Sequence, residues 1–501
     1  MTVDTLNVFL LAGALVLIAA VVAVRVSLKL GLPSLVLYLL IGVGLGESGL
    51  GIQFSDPELA RSFGYAALVI ILAEGGLTTR WEHVRPAFGI GLSLATVGVV
   101  VSTAVVAVIG HYLLGLDWLL AILLGAVFAP TDAAAVFSTL RRMPLKRRVS
   151  GALETESGLN DAPAIVLVSI LSASDGPNES LVILGLTVVY ELLGGAAVGY
   201  LVGRIGAAIL RSTALPASGL YPLVVLTLTV LAYGTGSVAH MSGFAAVYVS
   251  ALVLGNAQLP HRAATRSFVE GLAWLSQIGL FVMLGLLSSP SDMPGAFVAA
   301  IVAGVALTFI ARPISVWAST ALFSMRRREK LFLSWAGLRG AVPVVFATVP
   351  LAEGVERADW LFAVVFIVSV VFTLIQAPTL PWLAGRLGMA PTFSARDAEV
   401  ESAPLERIDA DLIHVRVTPG SKLHGVEVGE LRVPPEVGVA LIIRGDTSLV
   451  PGPQTKLLHG DEILIVAPRA LRRATELRLR AVSRRGRLAG WFGEEGRDEP
   501  D

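Results

Sequence analysis

Through residue 390 the chain is a succession of long apolar runs, each ended by a glycine-, proline- or arginine-rich connection. A spanning helix needs about 20 mostly apolar residues. On that measure the pattern predicts about 13 transmembrane helices, over 5–24, 33–50, 61–79, 87–113, 117–140, 151–173, 180–210, 219–235, 238–257, 268–288, 295–322, 331–352 and 360–385. The connections test the count. Taken alternately, one set carries Arg25/Lys29, Arg80/Arg85, Arg141/Arg142/Lys146/Arg147/Arg148, Arg204/Arg211, Arg262/Arg266 and Arg326/Arg327/Arg328/Lys330, while the other carries only Arg61 and Arg357. Basic residues favour the cytoplasmic side, so the N-terminus is expected outside and the C-terminus in the cytoplasm.

The pattern changes after Arg386. Residues 391–404 are polar and read as a linker between a transmembrane domain, 1–390, and a small cytoplasmic α+β domain, 405–483. Ile413 to Val417 alternates like a half-buried strand, as do Gly438 to Ile443 and Glu462 to Val466. Gly445-Asp446 and Gly460-Asp461 supply turns, and Pro468 to Arg480 reads as a closing helix. Residues 484–501 turn basic and then acidic and are expected to be a disordered tail.

Composition agrees with a multi-pass protein of the cell membrane. Of 501 residues, 54% are hydrophobic and only 15% charged, against roughly 25% charged in soluble domains; the mean hydropathy is +0.75. Zero net charge gives no reason to expect nucleic acid as a partner, and the absence of cysteine excludes disulfides and thiolate sites. Only Asp4 precedes the first apolar run, and Arg25 and Lys29 follow it, which argues against a cleaved signal peptide.

Acidic residues at membrane depth carry the candidate chemistry, because such groups mark ion or proton pathways. Pro130-Thr131-Asp132 interrupts one apolar run, and Glu156-Ser157-Gly158-Leu159-Asn160-Asp161 opens the next. Pro130 frees a backbone carbonyl, and broken helices line cavities in transporters. Glu156 and Asn160 share a helix face, Ser157 and Asp161 the adjacent one. Desolvation disfavours a charged carboxylate, so a proton and a hard cation would compete for Asp161, and that competition suffices for exchange. Arg339, in Gly337-Leu338-Arg339-Gly340-Ala341-Val342-Pro343, is the expected partner of Glu156, with a second helix break near Pro343. Arg312 has no evident partner and reads either as functional or as a snorkelling arginine. Glu74 lines an ion entrance or sits among headgroups; Glu191 suits a subunit interface. The histidines show no metal-ligand spacing.

These segments resemble the monovalent cation:proton antiporter-1 family, the NhaP-type sodium/proton and potassium/proton exchangers, over residues 5–390. The resemblance implies an all-α fold of 13 helices with inverted repeats, and a homodimer working by elevator-like alternating access. It implies that Asp161 is the essential ion- and proton-binding carboxylate, that Thr131, Asp132 and Ser157 ligate with a contribution from Glu74, and that Glu156, Asn160 and Arg339 form a supporting polar cluster. Asn160-Asp161 matches the family's Asn-Asp pair, which goes with electroneutral exchange. The soluble part resembles the TrkA-C (RCK C-terminal) regulatory domain, through Gly420-Ser421-Lys422-Leu423-His424-Gly425 and Gly460 to Val466. That resemblance implies dimerisation and a small-nucleotide ligand, with cyclic di-AMP one candidate, and points to K+ rather than Na+ as the exchanged cation; no cofactor is implied.

A channel is the competing reading, since TrkA-C domains also gate potassium channels. A filter needs a Thr-Val-Gly-Tyr-Gly-like loop, and Ala232-Tyr233-Gly234-Thr235-Gly236, expected in an outer turn, does not match. A membrane enzyme is disfavoured by the absence of a Gly-x-Ser-x-Gly elbow or a His-Glu-x-x-His pair.

Overall fold

The computed structural model describes residues 3–30, 34–47, 49–52, 54–132, 136, 139–140, 145–173, 181–288, 293–389, 399–405, 410–445 and 447–495. Arg141, Arg142 and Asp446 lie outside them. The chain forms two compact units, Met1–Ala390 and Pro391–Asp501.

Among its described residues, the regular structure of the first unit is all helical. Its helices are α1 (Val3–Leu30), α2 (Ser34–Leu45), α3 (Pro57–Thr78), α4 (Phe88–Leu114), α5 (Trp118–Phe128), α6 (Arg147–Ser172), α7 (Leu181–Ser212), α8 (Leu220–Val238), α9 (Gly243–Asn256), α10 (Arg262–Leu287), α11 (Met293–Ala306), α12 (Arg312–Ser319), α13 (Arg327–Trp335), α14 (Ala341–Ala352) and α15 (Ala358–Leu387). A π-helical turn, Leu307–Ala311, joins α11 to α12.

Among the described residues, seven helical stretches are long and apolar enough to cross a membrane: α3, α4 with the turn before it, α7, α8, α10, α11–α12 and α15. Five shorter apolar helices lie in α1, α2, α5, α9 and α14. α6 is in neither group, because Arg147, Arg148, Glu154, Glu156 and Asp161 all fall within it. Local signals set the ends. Asp56 and Asp117 accept hydrogen bonds from Leu59 N (3.0 Å) and Leu120 N (3.1 Å) as N-caps of α3 and α5. Gly115 and Gly388 end α4 and α15 at φ 66°, a conformation glycine adopts freely. Ala232 to Gly236 lies inside α8, not in an outer turn.

The helices pack as two bundles. α2, α3, α7, α8, α9 and α10 contact one another, with α1 against α2. α4, α5, α6, α11, α12, α13, α14 and α15 form the second. α14 against α3 and α9 against α6 join them.

The second unit is a five-stranded antiparallel sheet with one long helix. Strands β1 (Glu399–Leu405), β2 (Ala410–Arg416), β3 (Gly438–Arg444), β4 (Thr447–Leu449) and β5 (Glu462–Pro468) run in the order β1-β2-β5-β3-β4. Ile413, Val415, Ile442, Ile463 and Ile465 share its core with Leu479 and Val482 of α16 (Arg469–Arg485). Two expectations are corrected. The presumed linker contributes the edge strand β1, which pairs with β2 along its whole length. The presumed tail is folded as far as Glu495: Ala489 is fully buried, and Arg484 reaches Glu494 at 3.6 Å. Residues 496–501 are outside the described set.

Candidate functional site

α6 carries Ser157, Gly158, Asn160 and Pro163, all poor helix formers, yet runs unbroken because α4, α5, α9, α13 and α14 surround it. Pro163 has no N–H, so the Leu159 carbonyl lacks its intrahelical donor. Glu154, Ser157, Gly158 and Asp161 recur at spacings of three, four and seven, which places them on one face.

That face borders a cavity of about 400 Å³. Glu74 and Thr78 of α3, Thr79 just after it, Tyr248 of α9 and Gln277 of α10 also line it, and so do Thr131 and Asp132. Glu74, Thr131, Asp132, Ser157 and Asp161, five positions singled out in the sequence, thus meet at one cavity. Glu154, Tyr248 and Gln277 were missed. Only Glu154 had a readable signal, its place two helical turns before Asp161.

Asp161 is 6% exposed and its Oδ1 is buried with no hydrogen-bond partner among the described residues. Asn160 Oδ1 is in the same condition, while Asn160 Nδ2 donates to Thr131 Oγ1 at 2.9 Å. Asp132 lies close enough for its charge to act on Asp161. Carboxylate, hydroxyl and amide oxygens form a hard donor set that suits an alkali cation and not a thiophilic metal.

The edge of the cavity is made where two interrupted segments cross. α5 ends at Phe128, and the chain between α13 and α14 is non-helical from Ala336 to Gly340. Asp132 N donates to the Leu338 carbonyl at 2.9 Å. Arg339 Nη1 donates to the carbonyls of Ala129 (3.0 Å) and Pro130 (2.5 Å). Thr373 Oγ1 holds the Arg339 carbonyl at 2.9 Å. The helix ends are matched by charge: Arg339 caps the negative end of α5, and the Asp132 carboxyl rests against Gly340 at the positive end of α14. A side chain at position 340 would collide with that carboxyl. The second break precedes Pro343, which sits in the first turn of α14, where proline is tolerated.

Glu156 departs from expectation. Its partner is Arg312, which grips both carboxylate oxygens, one at 2.9 Å, and also donates to the Leu333 carbonyl at 3.2 Å. Both residues are at most 4% exposed, so Arg312 is no snorkelling arginine. Arg339 is left free to bind the carbonyls that the helix break exposes. Asn160 likewise turns to Thr131 and does not pair with Glu156. Glu191 is half-buried on α7.

Comparison with known proteins agrees with this architecture. Residues 16–386 match the family described as sodium/hydrogen exchanger, transmembrane, and residues 412–480 match the TrkA-C domain. The chain is 38% identical over 392 residues to the K(+)/H(+) antiporter NhaP of Alkalimonas amylolytica, covering 76% of this chain and 67% of that protein. It is 34% identical over 489 residues to the K(+)/H(+) antiporter NhaP2 of Shewanella oneidensis, covering 93% and 82%. The fold is similar to that of the sodium proton antiporter MjNhaP1 from Methanocaldococcus jannaschii at pH 8, with TM-score 0.66 and 22% identity over 76% of this chain and 99% of that one. Crossed helix breaks, a buried carboxylate beside them with one oxygen unpartnered among the described residues, and the matched sequence converge: the chain belongs to the sodium/hydrogen exchanger transmembrane family and carries a TrkA-C domain after its helical unit.

Proposed function

We propose that the protein is a potassium/proton antiporter of the cell membrane in which H+ and K+ occupy Asp161 in turn. The observation that carries the reading is the Asp161 carboxylate, buried at the cavity edge with Oδ1 unpartnered among the described residues, while Asp132, Thr131 and Ser157 line the same cavity. With the proton on Asp161 that carboxyl is neutral and needs no cation. With the proton lost, the bare carboxylate is stabilised only by binding a cation. Each crossing then carries one positive charge in either direction, and exchange is one for one. Glu74 and Glu154 on the cavity walls draw cations inward.

The second bundle, α4–α6 with α11–α15, carries the site and moves against the first. The first bundle holds two subunits together through the exposed apolar faces of α1 and α7, such as Leu11, Leu15, Ile18, Leu186, Tyr190 and Leu193. The chain makes about 13 crossings, with its N-terminus outside and the TrkA-C domain in the cytoplasm, where a small nucleotide such as cyclic di-AMP sets the rate. Similarity to two K(+)/H(+) antiporters over most of the chain favours K+. Na+ is the second reading, since the Na(+)/H(+) antiporter NhaH of Halobacillus aidingensis is 26% identical over 398 residues.

Purified protein in liposomes with an imposed pH gradient tests both. Addition of K+ should dissipate the gradient, and Na+ should do so only weakly. A response to Na+ alone would reverse the choice of ion. A current that clamps the membrane at the potassium potential would replace the antiporter by a channel.

A further inference from the structure

Arg61 and Arg357 are the two basic residues in the set of connections that otherwise lacks them. Arg357 lies over the ring of Trp360, 4.9 Å from its centre. Arg61 has a different use. It stands in the second turn of α3, in the first bundle, and its Nη1 donates to Glu353 Oε1 at 2.5 Å. Glu353 is the residue that ends α14, in the second bundle. Glu58, one turn before Arg61 on α3, is 3.9 Å from the same guanidinium. The ion pair therefore crosses from one bundle to the other.

The pair and the exchange cavity occupy opposite ends of one seam. α3 lines the cavity with Leu68, Leu72, Glu74 and Thr78, and α14 lines it with Val342, its second residue. Arg61 and Glu353 sit toward the other end of each helix. From Arg61 to Glu74 the helix climbs about 20 Å. In between, α3 and α14 touch: a methyl added at Gly64 would fall 2.8 Å from Val345 Cγ1, and Val345 is fully buried. A second cavity of about 400 Å³ lies at the pair's end, lined by Pro57 and Leu286 of the first bundle and by Leu351 and Phe362 of the second. The seam is thus hollow at Asp161, shut at Val345 and hollow again near Arg61.

We infer that Arg61 and Glu353 form a latch. It holds the bundles together at this end while Asp161 faces the cavity at the other, and it parts when the seam opens toward the second cavity. This rests on the exchange reading, in which one bundle moves against the other. The strength of the pair suits the task. The two side chains are 24% and 39% exposed, and such a pair shifts a two-state equilibrium by about two- to five-fold. It biases the molecule toward one state and leaves the other within reach.

The chain has no cysteine, so introduced thiols report alone. V345C places one in the shut part of the seam, where it should react slowly with a water-soluble maleimide. R61Q and E353Q should each speed that labelling about two- to five-fold, and the exchanged pair R61E/E353R should slow it again, which a merely loosened fold would not do. Separately, R61C/E353C joined by a short reducible bifunctional thiol reagent should stop exchange in proteoliposomes, and reduction should restore it. Labelling of V345C that ignores R61Q and E353Q overturns the latch, as does exchange that continues after cross-linking. If V345C does not fold, the cross-linking arm decides alone. Absence of exchange before any cross-linking would count against the antiporter reading, and the labelling arm, which needs no transport, would still decide the latch.

Discussion

Exchanging Arg312 for glutamine removes the guanidinium that grips both oxygens of Glu156, the one ion pair Glu156 makes among the described residues, at a place where the two side chains are 4% and 2% exposed. Breaking a buried pair from one side costs about 3–5 kcal/mol, because the remaining charge is stranded. Loss of the bond to Leu333 adds about 1 kcal/mol. Against a total stability of about 5–15 kcal/mol, that is about a quarter or more. R312Q should therefore unfold at much lower denaturant in mixed micelles, or fail to accumulate. E156Q/R312Q should recover more than half of the loss, since it leaves two neutral amides. E156Q should not rescue R339Q to the same degree, because Arg339 spends its donors on Ala129 and Pro130. Equilibrium unfolding of the single and double variants gives both coupling energies. Coupling of Glu156 to Arg339 that exceeds its coupling to Arg312 would refute the assignment.

Other substitutions probe the site and the second unit. D161N should abolish exchange in proteoliposomes while the melting temperature stays within a few degrees of wild type. The wild type should show an apparent cation affinity that falls about ten-fold per pH unit on the acidic side, the slope of competition for one carboxylate; an affinity that ignores pH would contradict a shared site. G340A should push the Asp132 carboxyl from the end of α14 and lower the exchange rate far more than G44A, where an added methyl meets nothing. In the second unit, burial acts to raise the Asp461 carboxyl, but two bonds from Arg444 (2.9 Å each) and one from Leu458 N outweigh it and hold it below its ordinary value. A depressed carboxyl stabilises above its unfolded value, about 3.9, and loses its contribution as pH falls through the lower folded value. Hydrogen-exchange protection factors over residues 410–485, taken relative to the intrinsic rate at each pH, should accordingly fall below about pH 4, and R444A should lower local stability by about 2 kcal/mol at neutral pH.

The membrane half was legible because lipid imposes one rule, a long apolar run per helix, and because carboxylates violate it visibly. Asp132, Glu156 and Asp161 stood out for that reason, and Pro130 marked the break beside them. Pairing was not legible. Glu156 and Arg312 are 156 positions apart, and hydropathy places Arg312 and Arg339 at similar depth. What separates them is the π turn Leu307–Ala311, which accommodates an extra residue and rotates Arg312 toward α6. Tyr248 and Gln277 face the cavity through helix packing, of which spacing along α9 or α10 says nothing. β1 was hidden because Glu399-Val400-Glu401-Ser402 has too few apolar residues to alternate; backbone pairing to one neighbour is enough for an edge strand. The core strands β2, β3 and β5, buried on one face, were readable.

The long sequence interval between Glu156 and Arg312 matters during biosynthesis. α6 is too polar to partition into the bilayer by hydropathy, and the guanidinium that neutralises its glutamate emerges 156 residues later. At about 5–20 residues per second, the nascent chain carries an uncompensated charge for on the order of 10 to 30 s. The insertion machinery has to shelter α6 through that interval. Chains truncated before residue 312 should consequently be cleared by quality control, and not persist as half-built bundles.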